Sequence, residues 1–449
     1  MSKQRIQLSD HFTYPRLLRF VLPCIGTMLF TSIYGIVDGL CVSNFVGKTA
    51  FAAVNLIMPL PMLLGTIGFM LGTGGSAIVG ITLGEGDQKK ADRYFTLFLL
   101  AALVSVSVLA VLGIVFLRPI AVLLGAKGEL LDYAVRYGRI LMVSLPTFAL
   151  QNMFQSFFVT AEKPHLGFWF TVGAGCTNMV LDVLMVGVWG WGVEGAAIAT
   201  FISQLVGGVL PVFYFIDRSN TSRLHLCQTK VYGGVLRDAC INGSSELMTN
   251  LSMSLVNILY NFQLLRLAGE NGVAAYGVIM YAAFLFVAVF VGYAVGSAPI
   301  VSFHYGARNH AEVHNLYRKS LRLIAVVAVT LTLASMFIIP CVARVFVGYD
   351  AELLALTSRA FRLYALSFLI MGFNVYASSF FTALGDGVTS ALISFLRTLL
   401  FQLLALILLP LVLGIEGVWL AVTVAEAGAL CVTVRMFVRK DKVFHYRKA

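Results

Sequence analysis

Long apolar runs recur along the whole chain, and they constrain its fold more than any other feature. Each run holds roughly 20 residues, enough for a helix to cross the hydrocarbon core of a bilayer. Hydrophobic residues make up 59% of the 449 residues, and charged residues only 12%. Inside a membrane the backbone must satisfy its own hydrogen bonds, so only helices or a closed barrel can span it. The runs lack the strict alternation of barrel strands, and the sequence therefore predicts an all-α integral membrane protein.

The apolar runs predict twelve transmembrane helices. Their approximate ranges are 17–42, 51–76, 94–117, 131–159, 165–189, 192–216, 238–265, 273–302, 319–346, 358–383, 388–413 and 415–437. An even number of spans puts both termini on the same side, and placing them in the cytoplasm puts most Lys and Arg residues in cytoplasmic loops and tails. We therefore expect a multi-pass protein of the cytoplasmic membrane with both termini cytoplasmic.

This placement of charge also explains the net charge of +11. We expect no nucleic-acid partner. The basic residues near the C-terminus are instead expected to contact anionic membrane lipids.

The two halves of the sequence repeat each other at an offset of 222 residues. Gly84 corresponds to Gly306, and Gly192-Val-Glu-Gly195 corresponds to Gly414-Ile-Glu-Gly417. Six helices in each half give both halves the same orientation, which predicts two bundles related by an axis along the membrane normal. We predict an N-terminal six-helix bundle over 1–216, a cytoplasmic linker over 217–237, and a C-terminal six-helix bundle with a basic tail over 238–449.

Polar residues that are costly in a membrane cluster in the N-terminal half. Asn178 and Asp182 lie four residues apart and share one face of the fifth predicted helix. After a glycine-rich break, Ala196 and Thr200 have the same spacing in the sixth, and Asp38 lies in the first. A carboxylate at membrane depth is rare and often marks an ion or proton path. We interpret these residues as one inward-facing coupling cluster.

The repeat supports a functional interpretation of this cluster, because Asp38 corresponds to Tyr260 and Asp182 to Leu404. Residues that only held helices together would be expected in both halves. Two carboxylates with amide, hydroxyl and carbonyl oxygens suit Na⁺, and a pair of carboxylates sharing a proton suits H⁺ equally well. The alternative is that these polar and small residues only join helices.

Aromatic, methionine and amide side chains are candidates for binding a substrate. They are Tyr34 in the first helix, Asn152 and Gln155 in the fourth, and Met253 and Asn257 in the seventh. Methionine and aromatic rings suit an adaptable cleft for small-molecule drugs or organic cations. The alternative for each residue is ordinary core or lipid contact.

Three further charges fall in apolar segments of the C-terminal half: Glu246, Arg397 and Glu426. One hypothesis is a structural bridge between Arg397 and Glu426, with Glu246 as the other candidate partner of the arginine. The second hypothesis places these charges on the substrate or gating path. His310 and His314 have a spacing that suits a metal, but we predict that they lie in a solvated loop.

The chain resembles the multidrug and toxic compound extrusion (MATE) family over nearly its whole length. The resemblance rests on two six-helix halves, on Tyr34-x-x-x-Asp38 and Asn178-x-x-x-Asp182, and on Gly195-Ala-Ala-Ile-Ala-Thr200. It implies a V-shaped central cleft that opens alternately to each side.

The resemblance also implies a Na⁺ or H⁺ site in the N-terminal half, formed by Asp38, Asn178, Asp182, Thr200 and the Ala196 carbonyl. In one branch of the family the essential acids lie in the C-terminal half, on helices seven and ten. Here helix ten has no acid between Tyr364 and Thr382, and helix seven has only Glu246, near its cytoplasmic start. This favours the branch coupled through the N-terminal half.

These features predict a secondary active multidrug exporter that exchanges H⁺ or Na⁺ for cationic amphiphilic compounds by alternating access. The alternative is a lipid-linked oligosaccharide or lipid flippase of related architecture. That alternative is disfavoured because Arg397 is the only basic residue clearly inside a predicted span.

Short loops without a catalytic group argue against an enzyme. No G-x-x-x-x-G-K-[ST] motif is present for ATP. We expect no cofactor beyond the coupling ion, and a chain that works as a monomer.

Overall fold

All regular secondary structure in the part of the chain that the structure describes is helical. This structure, a computed structural model, describes residues 6–46, 48–348 and 350–446, with the backbone alone at positions 36, 38–45, 48, 51, 340, 342, 345 and 346. The N-terminal half contains α1 (Tyr14–Phe45), α2 (Lys48–Ile57), α3 (Pro59–Gly84), α4 (Gln88–Leu123), α5 (Glu129–Thr160), α6 (Pro164–Asp182), a π-helical segment (Val183–Val188), α7 (Gly192–Gly208) and α8 (Leu210–Ile216). The C-terminal half contains α9 (Gly233–Gly306), α10 (His310–Val347), α11 (Ala351–Ala365), α12 (Phe368–Ala383), α13 (Gly387–Phe395), a second π-helical segment (Leu396–Leu400), α14 (Phe401–Leu413) and α15 (Ile415–Phe444).

Each of the twelve predicted spans coincides with one of these helices, with one part of α9, or with two or three consecutive helical segments. Among the described residues, nine helices are long and apolar enough to cross a membrane, and α11 with α12 forms a further span bent by 47°. The long helix α9 holds two predicted spans, because its backbone breaks at Gly269, where φ is 60° and ψ is −149°. The predicted span 131–159 is α5. The prediction of an all-α membrane fold is therefore confirmed.

Two predicted boundaries differ from the structure. The linker is shorter than 217–237, because α9 already begins at Gly233. Helix α10 begins at His310, so the predicted loop placement of His310 and His314 is wrong. The Asn309 side chain accepts a hydrogen bond from the Glu312 amide at 3.1 Å. This cap starts the helix ahead of its apolar stretch.

The internal repeat is visible in the backbone as well as in the sequence. Positive φ angles occur at equivalent helix ends, at Gly86 (87°) and Arg308 (55°), and at Gly192 (60°) and Gly414 (57°). A left-handed residue commonly ends a helix, and glycine adopts that conformation without steric cost. The same turn geometry is therefore built twice, even where arginine replaces glycine.

The two halves meet through a reciprocal glycine contact between α3 and the second part of α9. A Cβ atom on Gly84 would collide with the carbonyl oxygen of Phe303, and one on Gly306 would collide with the carbonyl oxygen of Ile81. At the repeat offset Gly84 corresponds to Gly306, and Ile81 to Phe303. A self-matching contact of this kind is what an approximate two-fold axis between the halves produces. Only residues without a side chain allow the two backbones to approach so closely.

The N-terminal strap, residues 6–13, bridges the two halves beside this contact. The Phe12 amide donates to Oε1 of Glu312 in α10 at 2.9 Å, and Lys319 Nζ donates to the Phe12 carbonyl at 2.7 Å. The Leu8 amide donates to Oε1 of Glu162, between α5 and α6, at 2.9 Å. Phe12 and Leu8 are both fully buried.

A second strap, the linker strap of residues 222–230, makes the corresponding contact with the N-terminal half. The His225 amide donates to Oδ1 of Asp92 in α4 at 3.1 Å, and the Cys227 amide donates to Oγ1 of Thr96 at 3.1 Å. Each strap thus precedes one half in sequence and packs on the outer helix of the other. Together they hold the halves at the end of the molecule that carries the chain termini.

Candidate functional site

The predicted coupling residues of α6 lie at its buried C-terminal end. Asn178 is 2% exposed and Asp182 is fully buried. Helix α6 ends at Asp182, and the π-helical segment Val183–Val188 follows at once. Single π-helical turns inside helices occur frequently at functional sites. The Asn178 Nδ2 atom has no hydrogen-bond partner among the described residues, so this buried amide keeps an unused donor.

The antiparallel packing of α6 and α7 brings Ala196 and Thr200 to the level of this pair. Gly173 faces Val206 at one end of the two helices, and Gly195 faces Met185 at the other. Counting inward from these contacts places Asn178 and Asp182 opposite the turn of α7 that contains Ala196 and Thr200.

The hydroxyl of Thr200 donates to the Ala196 carbonyl at 3.0 Å. That carbonyl keeps a second lone pair. The predicted oxygen ligands of α6 and α7 therefore lie at the same level of the two helices.

Helix α1 approaches the same face of α6. A Cβ atom on Gly175 would lie 2.5 Å from Cε1 of Phe30 and 3.0 Å from Cδ1 of Tyr34. Gly175 shares a face with Asn178 and Asp182, so Tyr34 lies against the coupling face. The Asp38 side chain lies outside the described residues. Its backbone is one helical turn beyond Tyr34 in α1.

The predicted substrate residues fall into separate places. Met253 and Asn257 line a large cavity of about 550 Å³, within the range of about 300–1,000 Å³ that is usual for small-molecule sites. Gln155 lines a small cavity of about 20 Å³ in the N-terminal half. Asn152 is 4% exposed. Tyr34 contacts α6, as described above. The five residues predicted for one substrate cleft therefore lie in several separate places.

The large cavity lies on the far side of the contact between the halves. Its lining on α3 ends at Ser76, and its lining on α9 ends at Ala298. The Gly84 and Gly306 contact and the two straps lie beyond these residues, at the end that carries the termini. The halves are thus closed at that end and enclose the cavity on the other.

The three C-terminal charges all line this cavity. Arg397 Nη1 lies 3.4 Å from Oε1 of Glu426, which is 1% exposed. This geometry agrees with the bridge hypothesis, and Arg397 itself lies in the second π-helical segment. Glu246 lines the same cavity from the first part of α9. The structure thus brings together three residues that are far apart in the sequence.

Sequence reasoning missed Asn374 of α12, which holds Glu426. Its Nδ2 atom donates to the Glu426 carboxylate at 2.7 Å and to the Glu426 carbonyl at 2.9 Å. Thr433 Oγ1 donates to the Asn374 side chain at 2.8 Å. The sequence signal for Asn374 is an amide within an apolar run, whereas the sequence analysis of this helix considered only acids.

The tyrosines of the cavity were also missed. Tyr260 and Tyr276 stack with ring centroids 4.8 Å apart and an interplanar angle of 11°. Tyr364 lines the cavity with them. The repeat gave one sequence signal for Tyr260, because this residue occupies the position in the second half that corresponds to Asp38. Where one half has a carboxylate, the other has an aromatic ring at the cavity wall.

Comparison with known proteins gives matches along nearly the whole chain. The MatE family model matches residues 23–184 and 247–407, one segment in each half. The chain is 21% identical over 437 residues to the multidrug export protein MepA of Staphylococcus haemolyticus, covering 97% of this chain and 95% of that protein. It is 20% identical over 426 residues to the protein of the same name from Staphylococcus aureus, covering 95% and 93%.

Solved structures share the fold. A MATE protein crystallised in complex with MaL6 matches with a TM-score of 0.91 at 23% identity, covering 98% of this chain and 100% of that one. A multidrug resistance MATE family transporter in an outward-facing conformation also matches with a TM-score of 0.91 at 23% identity, covering 98% and 99%. A MOP superfamily transporter from Pyrococcus furiosus matches with a TM-score of 0.89 at 22% identity, covering 98% and 99%.

Proposed function

Because the chain belongs to the MatE family, we propose that it is a secondary active multidrug exporter that exchanges inward-moving Na⁺ or H⁺ for outward-moving cationic amphiphilic compounds. The observation that carries this proposal is the asymmetry between two halves built on one repeat. A buried acid and amide on α6 occupy the N-terminal half. A large cavity with aromatic walls is lined mainly by the C-terminal half. One half is suited to an ion and the other to an organic compound.

The N-terminal cluster is the proposed coupling site. Asn178, Asp182, Thr200 and the Ala196 carbonyl supply oxygen ligands at one level of α6 and α7, and Asp38 is proposed to complete them from α1. Oxygen ligands of this kind suit Na⁺. A carboxylate pair can instead take up one proton. In either case binding of the ion neutralises charge that the membrane interior disfavours, and this favours one arrangement of the halves over the other.

The cavity charges support a cationic substrate and disfavour a flippase for phosphate-bearing lipids. Two of the three charged side chains that line the cavity are acidic. Phosphate groups are bound by clusters of arginine or lysine. A net acidic wall with stacked tyrosines attracts organic cations instead.

The test is dye export from the purified protein reconstituted into vesicles. Ethidium efflux is followed under an imposed Na⁺ gradient and then under an imposed pH gradient, for the wild type and for the Asp38→Asn and Asp182→Asn variants. Asp217→Asn is the matched control, because Asp217 is an exposed acid after α8. We expect both cluster variants to lose coupled export and the control to keep it. The gradient that drives the wild type identifies the ion.

Export that is unchanged in both cluster variants would refute the N-terminal coupling site. An absence of efflux under either gradient, at normal levels of folded wild-type protein, would refute the exporter itself.

A further inference from the structure

The charges of the large cavity do not balance. Among the described residues, Glu246, Arg397 and Glu426 are the charged ones that line it, so two carboxylates face one guanidinium. Arg397 is 3.4 Å from Glu426, and Asn374 holds the same carboxylate at 2.7 Å, so these two charges form an anchored neutral pair. The excess negative charge therefore belongs to Glu246.

Glu246 is free to meet a ligand. Its carboxylate forms no ion pair or hydrogen bond with another side chain in the described part of the protein. A carboxylate taken out of water is costly unless a positive group compensates it. Among the described residues of the cavity wall, the only basic side chain, Arg397, is already engaged by Glu426. A ligand with one positive charge would supply the compensating charge that Glu246 lacks.

A second observation marks the cavity as a ligand site. Tyr260 lines the cavity and is 2% exposed, yet its hydroxyl has no hydrogen-bond partner among the described residues. A buried hydroxyl without a partner is unfavourable, and a ligand can satisfy it. The stacked rings of Tyr260 and Tyr276 also give this wall an aromatic surface. Such a surface favours a planar cation.

We propose that Arg397 sets the number of charges on the substrate: the cavity accepts flat aromatic compounds with a single positive charge and rejects those with two. This inference rests on the proposed function, in which the substrate occupies this cavity. Glu246 neutralises the first positive charge. A second positive charge finds no unpaired carboxylate among the described residues of the wall, because Arg397 already neutralises Glu426. Arg397 is thus a specificity-determining residue, whereas Glu246 is the binding one.

Ethidium and propidium test this rule, because they share one planar ring system and propidium carries an additional quaternary ammonium. Binding of each dye to the purified full-length protein is measured by fluorescence at mildly alkaline pH, without any ion gradient. The readout is the ratio of the two affinities, so the bulk of the additional group cancels between variants. In the wild type we expect ethidium to bind more tightly.

Variants that change the number of charges on the cavity wall test the rule directly. Arg397→Gln leaves two carboxylates in excess, and the ratio should move towards propidium by roughly tenfold or more. The double variant Arg397→Gln with Glu426→Gln again leaves one carboxylate in excess, and the ratio should return to the wild-type value. The double variant also removes both partners of the buried pair, so no single buried charge is left uncompensated.

Two further variants complete the series. Glu246→Gln should weaken binding of both dyes. Glu270→Gln, an exposed position outside the cavity, is the matched control and should change neither affinity.

Three results would overturn the proposal. They are an unchanged ratio in a folded Arg397→Gln protein, a shifted ratio that persists in the double variant, and no binding of ethidium by the wild type. Failure of the exporter proposal looks different, because dye binding that obeys the charge rule without gradient-driven efflux would refute transport alone.

Discussion

Removing the Glu312 carboxylate should release the N-terminal strap from α10. Glu312 is 6% exposed. It accepts hydrogen bonds from the Phe12 amide at 2.9 Å and from Asn315 Nδ2 at 2.8 Å, and its Oε2 lies 2.6 Å from Nδ1 of His11. In Glu312→Ala the Phe12 amide loses a charged acceptor in a site that excludes water. A hydrogen bond to a charged group contributes about 1.5–3 kcal/mol.

That magnitude predicts a rate that can be measured. If the amide opens locally, its hydrogen exchange should accelerate by roughly 10- to 150-fold, because each 1.4 kcal/mol is a factor of ten. Hydrogen exchange followed by mass spectrometry over residues 6–13 provides the assay. The Leu8 amide is an internal comparison, since Glu162 holds it separately at 2.9 Å.

Glu352→Ala is the matched control, because Glu352 is exposed in the first turn of α11. It should leave the strap unchanged. If the Phe12 amide exchanges at the wild-type rate in a folded Glu312→Ala protein, then the carboxylate does not hold the strap and the reasoning is refuted.

Two glycine substitutions test other contacts of the fold. Gly84→Ala should separate the halves, because its Cβ atom would collide with the carbonyl oxygen opposite. We expect a lower thermal midpoint and reduced transport, while Gly277→Ala, with open space around its Cβ position, should preserve both. A midpoint equal to that of the control would contradict the close contact. Gly175→Ala should displace the rings of α1 from the coupling face, because its Cβ atom would lie 2.5 Å from the nearest ring carbon. We expect weaker ion-coupled efflux with near-normal dye binding, whereas Gly173→Ala, whose Cβ atom would be 3.8 Å from its neighbour, should behave as the wild type. Equal coupling in the two α6 variants would show that the ring contact does not matter.

The sequence predicted the helices well, because that prediction depends on local properties. A run of roughly 20 apolar residues has few alternatives to a helix in a membrane. Errors occurred where side chains in the aqueous loops decide the boundary. The cap at Asn309 extends α10 back to His310.

The candidate coupling site was predictable in part. Asn178 and Asp182 share a helical face by spacing alone, and the repeat identified them as residues that the second half lacks. Their level relative to Thr200 required the actual packing of α6 on α7. Whether the cluster couples transport to an ion remains a prediction.

The sequence by itself determined the membrane class, the number of spans, the two-fold repeat and the absence of an acid and amide at the second-half positions that correspond to Asn178 and Asp182. These features follow from the hydrophobic periodicity, the composition and the repeat offset, all of which are properties of the linear sequence. Only the tertiary structure decided that Asn374 anchors Glu426 beside Arg397 and that Glu246 faces the same cavity, unpaired among the described residues. It also decided that the strap preceding each half in the sequence packs on the other half. Such pairings depend on the angle and depth at which helices cross. A spacing along one helix fixes which residues share its face, but not which helix that face will meet.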